Sequence, residues 1–441
     1  MKKIGYFGII SIILTYMLNL RFTLGIIVLS IYLAFVLLAL LKRISLNEII
    51  ETSFKYTYKS KAILFIFIFV GALTSSWIAS GTIPGIVYYG IKFIKPEIFI
   101  LFSFLISCFV SFFLGSSFGS ASTIGVALMA IARSGNLNPN IVGATILSGI
   151  YFGDRWSPLS SSCNLVASLT SVNIYDNLKH MIKSMICPFF TSCIAYYFLS
   201  QKYVLNISES QLANFISDSY NLDSLIIFIP ILSIIIFSLF KINVKISMGI
   251  SIFLASTVAF FIQRESLIDI INYIILGFYK FNGTPLEKIL KGGGIISMMK
   301  AGALIIVSCS LVGIFEQLKI MYFIKSKIKN ITSRSKLFSY SIFISIITSM
   351  IGANQTIAVI MTEQIMEEIY DKKEVERIEF AKDLENTAIV ISPVIPWNIA
   401  CYVPCTMLGI SNIKFIPFAF YLWLLPLFSF IFYKYISKEK L

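Results

Sequence analysis

Long apolar runs separated by short polar or basic connections organise the chain, at about residues 4–20, 22–41, 62–91, 98–115, 119–132, 140–170, 181–201, 224–240, 246–262, 298–317, 337–350, 353–370, 385–410 and 414–433. Most approach the ~20 residues a helix needs to cross a hydrocarbon core. The pattern predicts an all-α polytopic membrane protein with about 11–14 membrane segments. Stretches 98–132 and 337–370 are short for two crossings each, so either can hold a re-entrant hairpin instead. Composition agrees with this picture: of 441 residues, 57% are hydrophobic and 13% charged, against roughly a quarter charged in soluble domains. A water-soluble globular enzyme is excluded. Thirty-nine Phe and 22 Tyr suit lipid-facing helices with interfacial aromatic belts.

The net charge of +14 is explained by the membrane and needs no nucleic acid. Alternation from a cytoplasmic N-terminus puts Lys42, Arg43, Lys55, Lys59 and Lys61 on one inner loop. Lys319, Lys325, Lys327, Lys329, Arg334 and Lys336 fall on another, and the C-terminus is also inside. This is the positive-inside pattern of a multi-pass protein of the cell membrane. The acidic loop with Glu209, Asp218 and Asp223 falls outside. Lys2 and Lys3 precede an apolar run with no small-residue cleavage site, and Arg21 leads into the next run, so an uncleaved first helix is expected. Seven cysteines sit in or beside apolar runs and read as small buried hydrophobes. Four regions are expected: a two-span region with a basic loop (1–61), a first transport repeat with intervening spans (62–263), an external connector (264–297), and a second repeat with a C-terminal span (298–441). The connector contains Arg264, Glu265, Asp269, Asn282, Gly283, Thr284 and Pro285.

Three short matches recur in order. Gly71-Ala72-Leu73 returns as Gly302-Ala303-Leu304, the stretch 119–126 with Thr123 returns as 352–359 with Thr356, and Ser157-Pro158 with Asn164 returns as Ser392-Pro393 with Asn398. The offsets of their first residues are 231, 233 and 235. An odd number of runs separates the copies, which predicts two inverted-topology repeats meeting near the membrane midplane.

The third element carries the candidate chemistry. Pro158 removes a backbone donor and disfavours helix at Ser157, and Ser160, Ser161, Ser162 and Asn164 follow. In the partner stretch Pro393 and Pro396 flank Ser392, Trp397 and Asn398. A discontinuous helix is expected in each half, since freed carbonyls are tolerated in a membrane only where they line protein or a cavity. Hydroxyls, carbonyls and amide oxygens there can replace the hydration shell of a small cation. The sodium candidates are Ser157, Asn164 and Asn398; the same groups also serve as caps of interrupted helices. Asp154 and Arg155 are charges inside an apolar run, each costing roughly 2.5–3.5 kcal/mol at the bilayer centre on insertion scales. Desolvation and a nearby cation act on such a carboxyl in opposite senses, the condition proton coupling requires; a static ion pair bracing the helix is the alternative. Glu385, beside Asp383 and Asn386, is either a second proton-coupling group or an acidic first turn.

Other signals are weaker. His180, the only histidine, reads as interfacial, and Glu363, Glu367 and Glu368 as surface. Cys401 and Cys405 lack the partners of a zinc site. Without a phosphate-binding loop or nucleophile motif, neither an enzyme nor an ATP-driven pump is expected, and no cofactor beyond transported ions.

In Trp77–Gly90, Phe118–Val126, Gly153-Asp154-Arg155-Trp156-Ser157-Pro158-Leu159-Ser160 with Asn164, Gly292-Gly293 with Ser297-Met298, and Ser392-Pro393 through Asn398 with Leu408-Gly409, the chain resembles the NhaC-type sodium/proton antiporter family of the wider ion transporter superfamily. The resemblance covers about residues 62–420. It implies secondary active transport, sodium out against proton in; members of that family also exchange small carboxylates such as malate and lactate. Similar sequences carry acidic residues where this chain has Ser161 and Asn386. The leading expectation is a cation/proton antiporter working by alternating access, with Asp154 competing for the proton and Ser157, Ser160, Ser161, Asn164, Thr123, Thr356, Ser392 and Asn398 supplying oxygens. The alternative is a small-carboxylate exchanger with Arg155 as the anion partner. Expected partners are the lipid bilayer, a small cation and the proton, or a small organic acid, with a homodimer left open.

Overall fold

The computed structural model is described for residues 24–435, apart from residues 60, 94, 159, 206–215, 241, 281–292 and 319–330. Outside these lie the first apolar run with Lys2, Lys3 and Arg21, the loop lysines 319–329, Glu209, and Asn282 to Pro285 of the expected connector. The described residues form helices throughout, with no strand. Among the described residues, three helices are long and apolar enough to cross a membrane: Pro96–Leu114, Ile174–Lys202 and Arg334–Gly352. Two bent pairs add to them, Ile68–Ala79 with Thr82–Gly90 at 65° and Arg377–Val394 with Ile399–Leu408 at 51°.

Two helical hairpins, each followed by an interrupted helix, carry the polar interior. In the first, α5 (Phe99–Leu114) turns into α6 (117–134), which contains a π-helical stretch at Ala121–Gly125. The turn forms because Gly115 takes φ +57°, a left-handed conformation that carries no Cβ penalty in glycine. Ser116 then caps α6 by accepting the Gly119 N–H at 3.1 Å. Helix α7 (Pro139–Trp156) follows, opened by the Asn138 cap and Pro139 in the first turn. It stops at Ser157-Pro158, and α8 (Ser161–Leu169) restarts under the Ser160 cap. In the second half, α14 (Arg334–Gly352) turns into α15 (Gln355–Lys372) through Ala353, at φ +48°, and the Asn354 cap. Helix α16 (Arg377–Leu384) continues through a π turn at Glu385–Ile389 and a 3-10 turn at Ser392–Val394; α17 (Ile399–Leu408) restarts under the Asn398 cap.

Corresponding boundaries recur at one interval. Asn354 follows Ser116 by 238 residues, and the same separation holds for Lys372 after Ser134, Arg377 after Pro139 and Asn398 after Ser160. The matches at 233 and 235 therefore pair positions three to five residues out of structural register. Stretch 352–359 spans a hairpin tip, whereas 119–126 lies past one.

The hairpins open at opposite ends of the bundle. At one end Arg133 and Asn140 bond the backbone at 408–411, and Ser200 bonds Leu101. This is where α9 (Ile174–Lys202) ends. At the other end Arg334, Tyr370, Glu379, Lys382 and Asp383 meet His180 of α9 and Tyr433 of α18 (Phe420–Tyr435). Arg334 lies 2.7 Å from Asp383 and 3.1 Å from Glu379, and His180 Nε2 lies 2.5 Å from Glu379 Oε1. His180 is thus engaged rather than merely interfacial. Glu363 also departs from expectation, being buried, while Glu367 and Glu368 stay exposed in pairs with Arg377 and Lys372.

A second group of helices lies against these: α1 (Leu24–Leu41), α2 (Leu46–Lys59), α3 (Lys61–Ala79), α4 (Thr82–Phe93), α10 (Ile229–Leu239), α11 (Val244–Phe261), α12 (Leu267–Leu276) and α13 (Ile295–Gln317). The basic stretch 42–61, expected as a loop, is mostly α2. It lies along α13, where Gln317 donates to Thr52 at 2.6 Å and Thr57 meets Ser310 at 3.0 Å. At Gly71 α3 approaches the start of α13 closely enough for the Gly294 N–H to donate to its carbonyl at 2.7 Å. The expected connector likewise contains a helix, α12.

Candidate functional site

Each hairpin tip is tied to the interruption in its own half by hydrogen bonds to carbonyls at the end of the tip's first helix. Ser157 Oγ donates to the Phe112 carbonyl at 2.5 Å, Trp397 Nε1 to Met350 at 2.9 Å and Asn398 Nδ2 to Ser349 at 2.9 Å. The Ile399 N–H donates to the Ala353 carbonyl at 2.8 Å. Close approach in the first half depends on Gly153, where an added Cβ would meet Ser111 Cβ at 2.5 Å. Tyr151 joins the two halves by donating its hydroxyl to the Ala400 carbonyl. These contacts satisfy the backbone groups that interrupted helices leave open.

A cavity of ≈ 170 Å³ lies where the tips and interruptions converge. Ser116, Ser117 and Phe118 come from the first tip and Asn354, Gln355 and Thr356 from the second. Asp154 and Ser161 line it beside the first interruption, Ile399 and Ala400 beyond the second. Asp154 is 2% exposed. Its Oδ1 accepts from Ser160 Oγ at 2.9 Å, while Oδ2 is buried without a hydrogen-bond partner among the described residues. Ser160 Oγ also accepts the N–H groups of Ser162 and Cys163, so one hydroxyl both caps α8 and holds the carboxylate.

Glu385 does not line the cavity; it is fully buried, and neither carboxyl oxygen has a hydrogen-bond partner among the described residues. Arg155, Asp154 and Cys163 are near enough to act on it electrostatically. Arg155 does not form an ion pair with Asp154 among the described residues. Its Nη1 donates to Tyr421 at 3.1 Å and its Nη2 to Ser184 at 3.3 Å and Asn386 at 2.5 Å. Asn386 in turn donates to Ser429 at 3.1 Å. Arg155 thus joins α7 to α9, α18 and the π turn, and it does not line the cavity.

Of the residues singled out in the sequence, Asp154, Ser161 and Thr356 line the cavity, and Ser160 holds Asp154. Ser157 holds the first tip, and Asn398 both caps α17 and holds the second. Asn164 Nδ2 donates to the carbonyls of Pro158 and Ser160, at 3.0 and 2.7 Å. Ser392 bonds Ser349 and Ala388, and Thr123 bonds the Gly119 carbonyl inside the π stretch, both away from the cavity wall. Ser116, Ser117, Asn354 and Gln355 were missed as site residues. The available signal was a polar cap directly after each turn residue. Cys401 and Cys405 lie 3.9 Å apart, and no group of metal-ligating side chains occurs among the described residues.

A sequence model of the Na+/H+ antiporter family matches residues 149–437. The chain is 26% identical over 376 residues to the Na+/H+ antiporter NhaC of Alkalihalophilus pseudofirmus, covering 84% of this chain and 81% of that protein. It is 26% identical to the Na+/H+ antiporter NhaC of Bacillus subtilis over 82% of this chain and 81% of that one. It is also 28% identical to the malate-2H+/Na+-lactate antiporter of Bacillus subtilis, over 81% of this chain and 77% of the relative.

Proposed function

Since the chain belongs to the Na+/H+ antiporter family, we propose that it exchanges Na+ for H+ across the cell membrane by alternating access, with the cation and the proton competing at Asp154. The observation that carries this reading is Asp154 Oδ2, without a hydrogen-bond partner among the described residues, at a cavity lined from both halves. A buried carboxylate oxygen without a donor is suited to either a proton or a small cation, and hydroxyl and amide oxygens from Ser116, Ser117, Ser161, Asn354, Gln355 and Thr356 complete a hard-oxygen environment suited to Na+. Glu385 is the second proton-coupling group, its charge tempered by Arg155. The constant 238-residue interval, with hairpins opening at opposite ends, supports two inverted repeats whose interrupted helices meet at this site. The end bearing Arg334, Lys382 and His180 is assigned to the cytoplasm, in keeping with the basic residues of that end.

The carboxylate-exchange reading loses its anchor, because Arg155 donates to Tyr421, Ser184 and Asn386 rather than facing the cavity. The test uses everted membrane vesicles with a respiration-generated pH gradient. Sodium should dissipate the gradient, and Asp154→Asn, which preserves shape while removing the charge, should abolish the response. A normal response in that variant overturns the assignment of Asp154.

A further inference from the structure

The helices that frame the Asp154 site carry a second cavity nearer their other ends. Helix α6 contributes Phe118 to the first cavity and Met129 and Arg133 to the second, while α17 contributes Ala400 to the first and Thr406 to the second. At 1.5 Å of rise per residue the two levels lie roughly 10–15 Å apart along these helices. The helices also meet directly, since a Cβ at Gly125 would lie 3.0 Å from Leu408 Cδ2. The second cavity, of ≈ 230 Å³, is completed by α3, α4 and α13. It therefore lies at the boundary of the two helix groups, at the end of the bundle opposite the Arg334–Asp383 cluster.

Arg133 is the sole charged residue in this wall among the described residues, and no carboxylate lies within ion-pair distance of it there. Its Nη2 donates to the carbonyls of Leu408 and Gly409, at 2.6 and 3.3 Å, which fixes its position. A helix C-terminus carries only a partial negative charge, so the guanidinium remains net positive. Thr74 and Thr406 donate to the carbonyls of Val70 and Tyr402 and add no charge. Low-dielectric walls concentrate the field of such a charge in the space they enclose. A cation here meets a fixed like charge and no carboxylate, the reverse of its situation at Asp154.

We propose that this cavity is the outer vestibule of the sodium path and that Arg133 makes it a repelling one. Sodium released outward crosses it without being retained, and external sodium is kept from returning to Asp154. The exchanger is thereby rectified, with a lower sodium affinity at its outer face than at its cytoplasmic face. This consequence rests on the antiport reading and its assignment of the ends, whereas the positive potential of an outward-open vestibule does not.

The test reads sodium half-saturation from each face at alkaline pH, where protons do not compete. Everted vesicles present the cytoplasmic face to the medium, and right-side-out vesicles the outer face. Arg133→Gln should lower the outer KM by about three-fold or more and leave the cytoplasmic KM unchanged, while Arg133→Lys, which keeps the charge, should retain the wild-type values. Thr74→Asp, which supplies a counter-charge from α3 with Arg133 intact, should also lower the outer KM alone. An outer KM unmoved in both Arg133→Gln and Thr74→Asp, or equal shifts at both faces, overturns the proposal. The potential is read without transport by treating intact cells carrying Thr406→Cys with impermeant thiosulfonates of either charge and counting adducts at position 406 by mass spectrometry. Relative to its rate with a free thiol, the anionic reagent should react faster than the cationic one by about three-fold or more, and adding Arg133→Gln should remove the preference. Absence of labelling from outside, or a preference that Arg133→Gln leaves intact, overturns the proposal. Anion-preferring labelling that depends on Arg133, in a protein without a sodium response, would leave the charged vestibule standing and count against the antiport reading alone.

Discussion

Ser160 shows how much a single hydroxyl does at the candidate site. It accepts two backbone N–H groups at the start of α8 and donates to Asp154 Oδ1 at 2.9 Å. Ser160→Ala therefore removes a cap, costing about 1 kcal/mol, and leaves a buried carboxylate without its donor, costing a further 1–3 kcal/mol or so. The expected outcome is a lower melting temperature together with a raised sodium KM in vesicles, with Ser160→Thr close to wild type in both. Arg155 poses a different residue-scale problem, because its two terminal nitrogens reach Tyr421, Ser184 and Asn386 in a fixed fork. Lysine keeps the charge but not the fork. Arg155→Lys is expected to destabilise the protein in thermal denaturation, whereas a role in holding an organic anion predicts loss of anion uptake instead. Position 386 sharpens the contrast, since asparagine here accepts from Arg155 and donates to Ser429. An aspartate at 386 would lose the second bond while gaining the ion pair.

The decisive elements are the two tips, and their turn residues differ. Gly115 sits at φ +57° at no steric cost, but Ala353 sits at φ +48°, where a Cβ is disfavoured by roughly 1–2 kcal/mol. Ala353→Gly should raise stability by about 0.5–1 kcal/mol, after the entropy added to the unfolded chain. Gly115→Ala should lower it by a comparable amount. Both are read as shifts in melting temperature in detergent. Packing of α5 on α7 is more demanding. A Cβ at Gly153 would sit 2.5 Å from both Ser111 Cβ and the Phe112 backbone nitrogen, so Gly153→Ala must move a helix and should cost about 1–3 kcal/mol. A Gly153→Ala protein with unchanged melting temperature would refute this close approach. Prolines at 158, 393 and 396 stand where the helical runs through α7 and α16 end, so those ends were legible from local chemistry alone. The tips were not legible in the same way, because a serine or asparagine cap beside a small residue occurs at many turns.

At the scale of the molecule, the end assigned to the cytoplasm is closed by a charged cluster that ties five helices together. Arg334, 1% exposed, meets Asp383 at 2.7 Å and Glu379 at 3.1 Å, and the Tyr433 hydroxyl donates to Asp383 at 2.8 Å. Removing one partner of a buried pair strands the other charge, typically costing about 3–5 kcal/mol. Asp383→Asn is expected to lower the melting temperature more than Lys372→Met, which breaks only the exposed pair with Glu368. Equal small effects would show that the cluster is not a closure. From sequence alone came the helical, membrane-embedded character and the places where helices stop, because apolar runs, prolines and caps act on the residues next to them. The charge pair at Asp154 and Arg155 was visible too, but not the separation of its roles. Asp154 faces a cavity, while Arg155 turns to residues as distant in the chain as Tyr421. Only the tertiary structure decided that division, along with the 238-residue interval and the presence of Ser116, Ser117, Asn354 and Gln355 in the cavity wall with Asp154. Those depend on which helices pack together, and packing is set by contacts between segments far apart in the chain rather than by any local pattern.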